Sequence, residues 1–126
     1  MTARLELHPD HLEITFPGAQ PLVTLKRSLT LPWLDVVSAR VEPQAEAKRS
    51  LGVRIGGGYW PGWFATGHFT YKGRKGERQL WCCYRAVDVL VIETRRLKPR
   101  RVVLQLDDPV DAARRITEVV GAQSPS

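Results

Sequence analysis

The chain has 126 residues, 43% of them apolar and 25% charged, and its 19 Lys and Arg against 13 Asp and Glu give a net charge of +6. That length supports one soluble globular domain over 1–126 and leaves no room for two; burying roughly two-thirds of the unfolded surface gives it a core without disulfides or metals. The longest aliphatic stretch, Val89-Leu90-Val91-Ile92, falls far short of the ~20 residues a membrane helix needs, and Met1 to Phe16 carries no signal-peptide run, so a cytoplasmic protein is expected.

Short β-rich segments separated by turn residues fill the first hundred positions. Leu5 and Leu7 alternate with Glu6 and His8, Pro9-Asp10 makes a turn, and Leu12, Ile14 and Phe16 alternate with Glu13 and Thr15. Pro17-Gly18 ends that hairpin. Val23, Leu25, Leu29 and Leu31 carry the next strand, broken by Pro32. Leu34 to Val41 is rich in β-branched residues and stops at Pro43. From Gln44 to Gly62 the pattern changes, and Gly56-Gly57-Gly58-Tyr59-Trp60-Pro61-Gly62 reads as the end of a long connection with a short helical turn early on.

Hairpins then resume. Phe64–Lys72 reads as a strand, Gly73-Arg74-Lys75-Gly76 as its turn and Arg78–Arg85 as the return. Asp88–Thr94 is apolar on successive positions and therefore central, and Arg101–Asp107 forms a last strand after a basic loop. At Asp108 the period becomes helical. Asp108 is a good N-cap, Pro109 suits the first helical position, and Ala112, Ala113, Ile116, Val119 and Val120 line one stripe. Gly121 is placed to stop the helix, so strands are expected over about 4–107, a helix over about 109–120 and a frayed tail over 122–126. Cys82 and Cys83 are neighbours in a strand and point to opposite faces, so they do not pair.

The expected fold is therefore mainly β with one C-terminal α-helix: an antiparallel barrel or sandwich of seven or eight strands, capped by the helix. This order resembles the pleckstrin-homology superfold. The segment Leu31-Pro32-Trp33-Leu34-Asp35-Val36-Val37-Ser38-Ala39-Arg40-Val41 looks like a strand–Pro-Trp–strand piece of bacterial pleckstrin-homology-like proteins. Leu51-Gly52-Val53-Arg54-Ile55-Gly56-Gly57-Gly58, Pro61-Gly62, Gly67-His68-Phe69 and Leu106-Asp107-Asp108-Pro109 are similar to an actinobacterial family of that kind, over roughly residues 5–120. The resemblance implies recognition of lipids, phosphopeptides or proteins, with no catalytic motif to carry across.

Two features are candidates for such recognition. Lys72, Arg74, Lys75 and Arg78 flank one hairpin turn, and Arg95, Arg96, Lys98, Arg100 and Arg101 crowd another loop, together nine of the nineteen basic residues. They read either as solvated hairpin ends that block edge aggregation or as an anion-binding face. A simple meander would bring the two loops to one end, whereas a barrel of the expected kind separates them, and separation is the expectation. The second feature is aromatic. Tyr59, Trp60 and Trp63 surround Pro61-Gly62, where one ring can plug a barrel end and another can serve a membrane interface or a protein hot spot.

Other motifs give less. Gly56-Gly57-Gly58 lacks the Gly-Lys-Ser/Thr of a phosphate loop. His8-Pro9-Asp10-His11 puts two imidazoles and a carboxylate within four residues, but no third ligand is evident and turn chemistry accounts for Pro9 and Asp10, so no metal is expected. His68 has no identifiable partner, and Asp107-Asp108 reads as a cap. The expectation is a non-catalytic, cofactor-free module that binds a protein partner or an anionic lipid surface, cytoplasmic and peripheral to the membrane. The residues expected to carry it are those of the Arg95–Arg101 loop, Lys72, Arg74, Lys75, Tyr59, Trp60 and Trp63. A nucleic-acid binder is the alternative and a barrel enclosing a small ligand the third, with homo-oligomers through exposed strand edges left open.

Overall fold

Alternation of apolar and polar side chains sets the first sheet. In the computed structural model, Arg4–Leu7 (β1), His11–Thr15 (β2) and Ser28–Pro32 (β3) form an antiparallel three-stranded sheet in the order β1-β2-β3. The structure describes residues 4–15, 28–60, 64–71, 74–84, 88–96 and 99–123, with the backbone alone at 50–60, 64–68, 70–71, 74–75, 83–84 and 123. Leu12, Ile14, Leu29 and Leu31 of β2 and β3 are buried, while the residues between them face outward. Val23 and Leu25, expected to begin the third strand, lie outside the described residues.

A second sheet has six strands: Val36–Pro43 (β4), Leu51–Trp60 (β5), Phe64–Tyr71 (β6), Arg74–Tyr84 (β7), Asp88–Thr94 (β8) and Arg101–Leu104 (β9). Their order is β4-β8-β9-β7-β6-β5. Nine strands are thus present among the described residues, where seven or eight were expected. Neither sheet closes on itself among the described residues, β4 and β5 being the edges of the larger one.

Antiparallel pairing throughout was expected, and it fails at one place. β7 and β9 are parallel, with Gln79 opposite Arg101 and Cys82 opposite Leu104. The reason is burial. Arg101-Val102-Val103-Leu104 is buried at every position, and a strand covered on both faces belongs inside a sheet. β9 therefore enters between β7 and β8 instead of adding to an edge. The connection at 85–87 needs to span only the roughly 10 Å between strands two places apart, within reach of three residues.

The sheet is consequently two-faced. Leu80, Cys82, Leu90, Ile92, Val102 and Leu104 point at the three-stranded sheet and form the first core with Leu12, Ile14, Leu31, Trp33 and Val36. Phe69, Trp81, Val89, Val91 and Val103 point the other way and form a second core with Ala47, which sits on the short helix Gln44–Ala47 (α1). Gln79 is fully buried there, its Oε1 accepting the Trp81 indole N–H at 2.9 Å.

Three element boundaries depart from the sequence pattern. The expected connection 44–62 is short: α1 and a 3-10 turn at Lys48–Ser50 occupy its start, and β5 takes up 51–60. Gly56, Gly57 and Gly58 pair with His68, Gly67 and Thr66; glycine's poor strand propensity is overridden where the neighbouring strand supplies the ladder. The last strand stops at Leu104 rather than Asp107, Leu106 turning onto the first core. The C-terminal helix, Pro109–Gln123 (α2), runs past Gly121, because a right-handed glycine weakens a helix by about 1 kcal/mol without ending it. Asp108 caps it as expected, Oδ1 accepting the Asp111 N–H at 3.0 Å. Ile116 is fully buried in the first core, with Ala112, Ala113, Val119 and Val120 packed against it. No helix among the described residues is long and apolar enough to cross a membrane.

Candidate functional site

The parallel β7–β9 pair decides where the basic residues gather. Two parallel strands begin at the same end of a sheet, so the hairpin entering β7 and the loop entering β9 meet. The Arg100 N–H donates to the Arg78 carbonyl at 2.8 Å, and Arg100 Nε stands 3.3 Å from Glu77 Oε1. The expectation that the two basic loops lie apart is corrected for Arg78 and Arg100, which meet on one rim; Arg74 stands five residues before Gln79, the partner of Arg101, about 16 Å further along β7.

A second set of contacts ties this rim to the 3-10 turn Trp33–Asp35 that precedes β4. Thr94, fully buried at the end of β8, donates its hydroxyl to the Pro99 carbonyl at 2.6 Å and accepts the Arg96 N–H at 3.0 Å. That ties Arg96 and Pro99 to the end of β8. Arg95 donates its backbone N–H to the Asp35 carbonyl at 2.8 Å and Nη1 to the Leu34 carbonyl at 2.7 Å, while Arg96 Nε donates to Asp35 Oδ2 at 3.0 Å.

The individual residues then separate into groups. Arg95 is exposed, and Arg78, Arg96 and Arg100 are partly exposed on the rim. Arg101 is not available to a ligand. It is 4% exposed and turns onto the second face of the sheet, where Nη2 pairs with Glu42 Oε1 at 3.2 Å. Arg40 pairs with the same Glu42 and, at 2.5 Å, with Glu93, so these four side chains form an internal ion network with structural work to do. Arg74 and Lys75 begin β7, four to five residues before Gln79; Lys72 and Lys98 lie outside the described residues.

Charge balance sharpens the picture. In sequence, segments 72–78 and 95–100 hold eight basic residues and one acidic residue, Glu77. The rest of the chain holds eleven basic and twelve acidic residues, so the excess positive charge is concentrated in these two segments.

One rim residue was not anticipated. Leu34 is 79% exposed, the most exposed large apolar side chain among the described residues, and Val37 is 41% exposed nearby in sequence. A signal was present: Trp33 and Leu34 are adjacent at a break after Pro32, and only one of two neighbours can face the core. Trp33 does so, at 2% exposure.

The aromatic feature does not join the rim. Tyr59 and Trp60 lie at the end of β5, opposite Ala65 and Phe64, and Phe64 is opposite Tyr84 at the end of β7. Five residues separate Tyr84 from Gln79, the partner of Arg101, about 16 Å along the strand. The side chains of Tyr59 and Trp60, and Trp63 altogether, lie outside the described residues. Cys82 is buried in the first core, where loss of solvation pushes its thiol up to about 11, leaving it protonated at neutral pH. His68 is opposite Leu80 by register.

Comparison with known proteins adds no assignment: no family model, no curated protein and no solved structure matches this chain.

Proposed function

We propose that the protein is a non-catalytic recognition module that docks on an anionic lipid surface through the rim formed by Arg78, Arg95, Arg96, Arg100 and the Trp33–Asp35 turn. The observation that carries this reading is the gathering of these four arginines where Arg100 bonds Arg78 and Arg95 bonds the turn, with exposed Leu34 beside them. Cations around a projecting apolar side chain suit a headgroup layer: the charges meet phosphates while the leucine enters the acyl boundary. Nucleic acid would use the same charges but has less use for an aliphatic tip. The pleckstrin-homology-like resemblance accords with recognition rather than catalysis, and strands followed by one core-sealing helix support it. The parallel β7–β9 pair departs from the antiparallel barrel that it implies. An enclosed small ligand finds less support, since side chains that are 0% exposed fill the space between the sheets.

Co-sedimentation with vesicles of phosphatidylcholine, with and without 30 mol % phosphatidylserine (roughly the anionic surface of a cytoplasmic leaflet), tests the proposal. Each basic residue near such a surface contributes about 1 kcal/mol, so Arg78→Gln with Arg95→Gln lowers partitioning roughly 30-fold, and Leu34→Ser lowers it further. Equal binding to the neutral vesicles, or full retention in the double variant, removes the rim from the account. Retarded DNA with no vesicle binding would transfer the site to nucleic acid.

A further inference from the structure

The outward face of the β1–β2 hairpin gathers two imidazoles and two glutamates. Leu5, Leu7, Leu12 and Ile14 face the first core, so Glu6, His11 and Glu13 face outward, and His8 opens the turn. Glu6 and Glu13 are register partners, and like charges directly opposite on an antiparallel pair repel. The rings of His8 and His11 stack at 4.5 Å between centroids. His8 Nε2 stands 3.4 Å from Glu6 Oε2 and 3.6 Å from Glu13 Oε2, and His11 Nε2 stands 4.0 Å from that same Glu13 oxygen. His8 Nε2 is shielded from solvent yet makes no hydrogen bond among the described residues. Ligand atoms of His8, His11 and Glu13 all lie within 4.8 Å of one another. The third ligand that the sequence did not disclose is thus Glu13, delivered by hairpin register.

We propose that His8, His11 and Glu13 bind a divalent cation of the zinc class. Imidazole nitrogens and carboxylate oxygens are zinc's usual non-thiolate donors, at about 2.0–2.2 Å, and the corners of a tetrahedron of that size stand ~3.4 Å apart. The 3.6 Å separation of His8 Nε2 from Glu13 Oε2 already matches, and the 4.0 Å one from His11 Nε2 closes with a swing of side chains that are 27% to 36% exposed. Two imidazoles disfavour magnesium and calcium, which take oxygen. Asp10 is the positioning residue. Its Oδ1 lies 2.7 Å from His11 Nδ1; with the ring neutral, that nitrogen carries the proton and Nε2 presents its lone pair towards Glu13. The competing arrangement is an imidazolium held between two glutamates with no metal.

Calorimetric titration of zinc chloride into the untagged full chain, first stripped with chelator, separates the two. The expected result is one zinc per chain, with affinity reduced at least tenfold in His8→Gln, His11→Gln and Glu13→Gln. His68→Gln leaves it unchanged. Cobalt(II) substitution is expected to give the intense visible absorption of a tetrahedral centre, lost in His11→Gln and shifted in wavelength by Asp10→Asn, a change that altered stability alone does not produce. Far-UV circular dichroism establishes that each variant is folded. Absence of saturable uptake by the wild-type chain, or folded His8→Gln and His11→Gln chains that bind zinc as the wild type does, overturns the site.

Discussion

Replacing Ile116 by alanine tests whether α2 seals the first core or only rests on it. Ile116 is 0% exposed and belongs to the cluster formed by both sheets. The change removes three carbons, worth about 2.4 kcal/mol at roughly 0.8 kcal/mol per buried methylene. Incomplete collapse of the cavity adds to this, bringing buried isoleucine truncations to about 2–5 kcal/mol. Alanine's better helix propensity returns about 0.4 kcal/mol. A net loss of about 3 kcal/mol is expected, a large part of the 5–15 kcal/mol typical of whole domains. Val110 on the same helix is 67% exposed, and Val110→Ala is expected to fall within about 0.5 kcal/mol of the wild type. Urea unfolding followed by far-UV circular dichroism measures both, with similar denaturant slopes required for the comparison. A loss under 1 kcal/mol for Ile116→Ala, or equal losses for the two variants, would mean that α2 does not close this core.

Four smaller tests bear on single positions. In a Cys83→Ser background, Cys82 is expected to react with iodoacetamide at pH 8 at least 100-fold more slowly than in the unfolded chain, since burial lifts its pKa from 9.0 to about 11 and each unit is tenfold in thiolate; reaction at the unfolded rate would place Cys82 outside the core. Gly76→Ala is expected to lower stability by about 1–2 kcal/mol in thermal melts, because φ is +84° although nothing stands within 4 Å of an added Cβ. Gly121→Ala, on a right-handed helix with the same open space, is expected to gain up to about 1 kcal/mol. The hydrogen bond from His11 holds the Asp10 carboxyl below its ordinary 3.8, so the contribution of this pair is present above pH 3.8 and fades as pH falls below it; carboxyl NMR titration is expected to show Asp10 returning upward in His11→Gln.

Local pattern disclosed the elements better than their neighbours. The β1–β2 hairpin, the central placement of β8 and the stripe of α2 follow from periodicity and end signals, each set by residues adjacent in the chain. The position of β9 does not. Its four residues show that both faces are covered, but not that the strand enters between β7 and β8, which depends on pairing with β7, 22 residues back in the chain. The same limit governs the sites. Charge clustering marked both basic loops, while their union needed the parallel pair. Arg101 looked like its neighbours Arg95 and Arg96 because composition cannot tell a side chain turned along the sheet face from one at its rim. Glu13 went unnoticed as a companion of His8 and His11, its proximity being a matter of hairpin register.

The internal pairing of the rim arginines bears on recognition as well as on folding. Asp35 and Glu77 neutralise part of the charge, which by itself favours a structural role. Yet Arg95 and Arg96 are held through Leu34 and Asp35 carbonyls and a carboxylate, so the guanidiniums and the exposed leucine are fixed relative to one another before any ligand arrives. Side chains already ordered give up less entropy on binding, by about 0.5–1.5 kcal/mol each. Arg78, Arg95, Arg96 and Arg100 nevertheless gather on one rim, and crowding like charges raises the energy of the free protein at low salt. An anionic surface relieves that repulsion, whereas a purely structural rim has no compensation for it except screening. The arrangement therefore favours a rim whose repulsion is tolerated for the sake of what it binds.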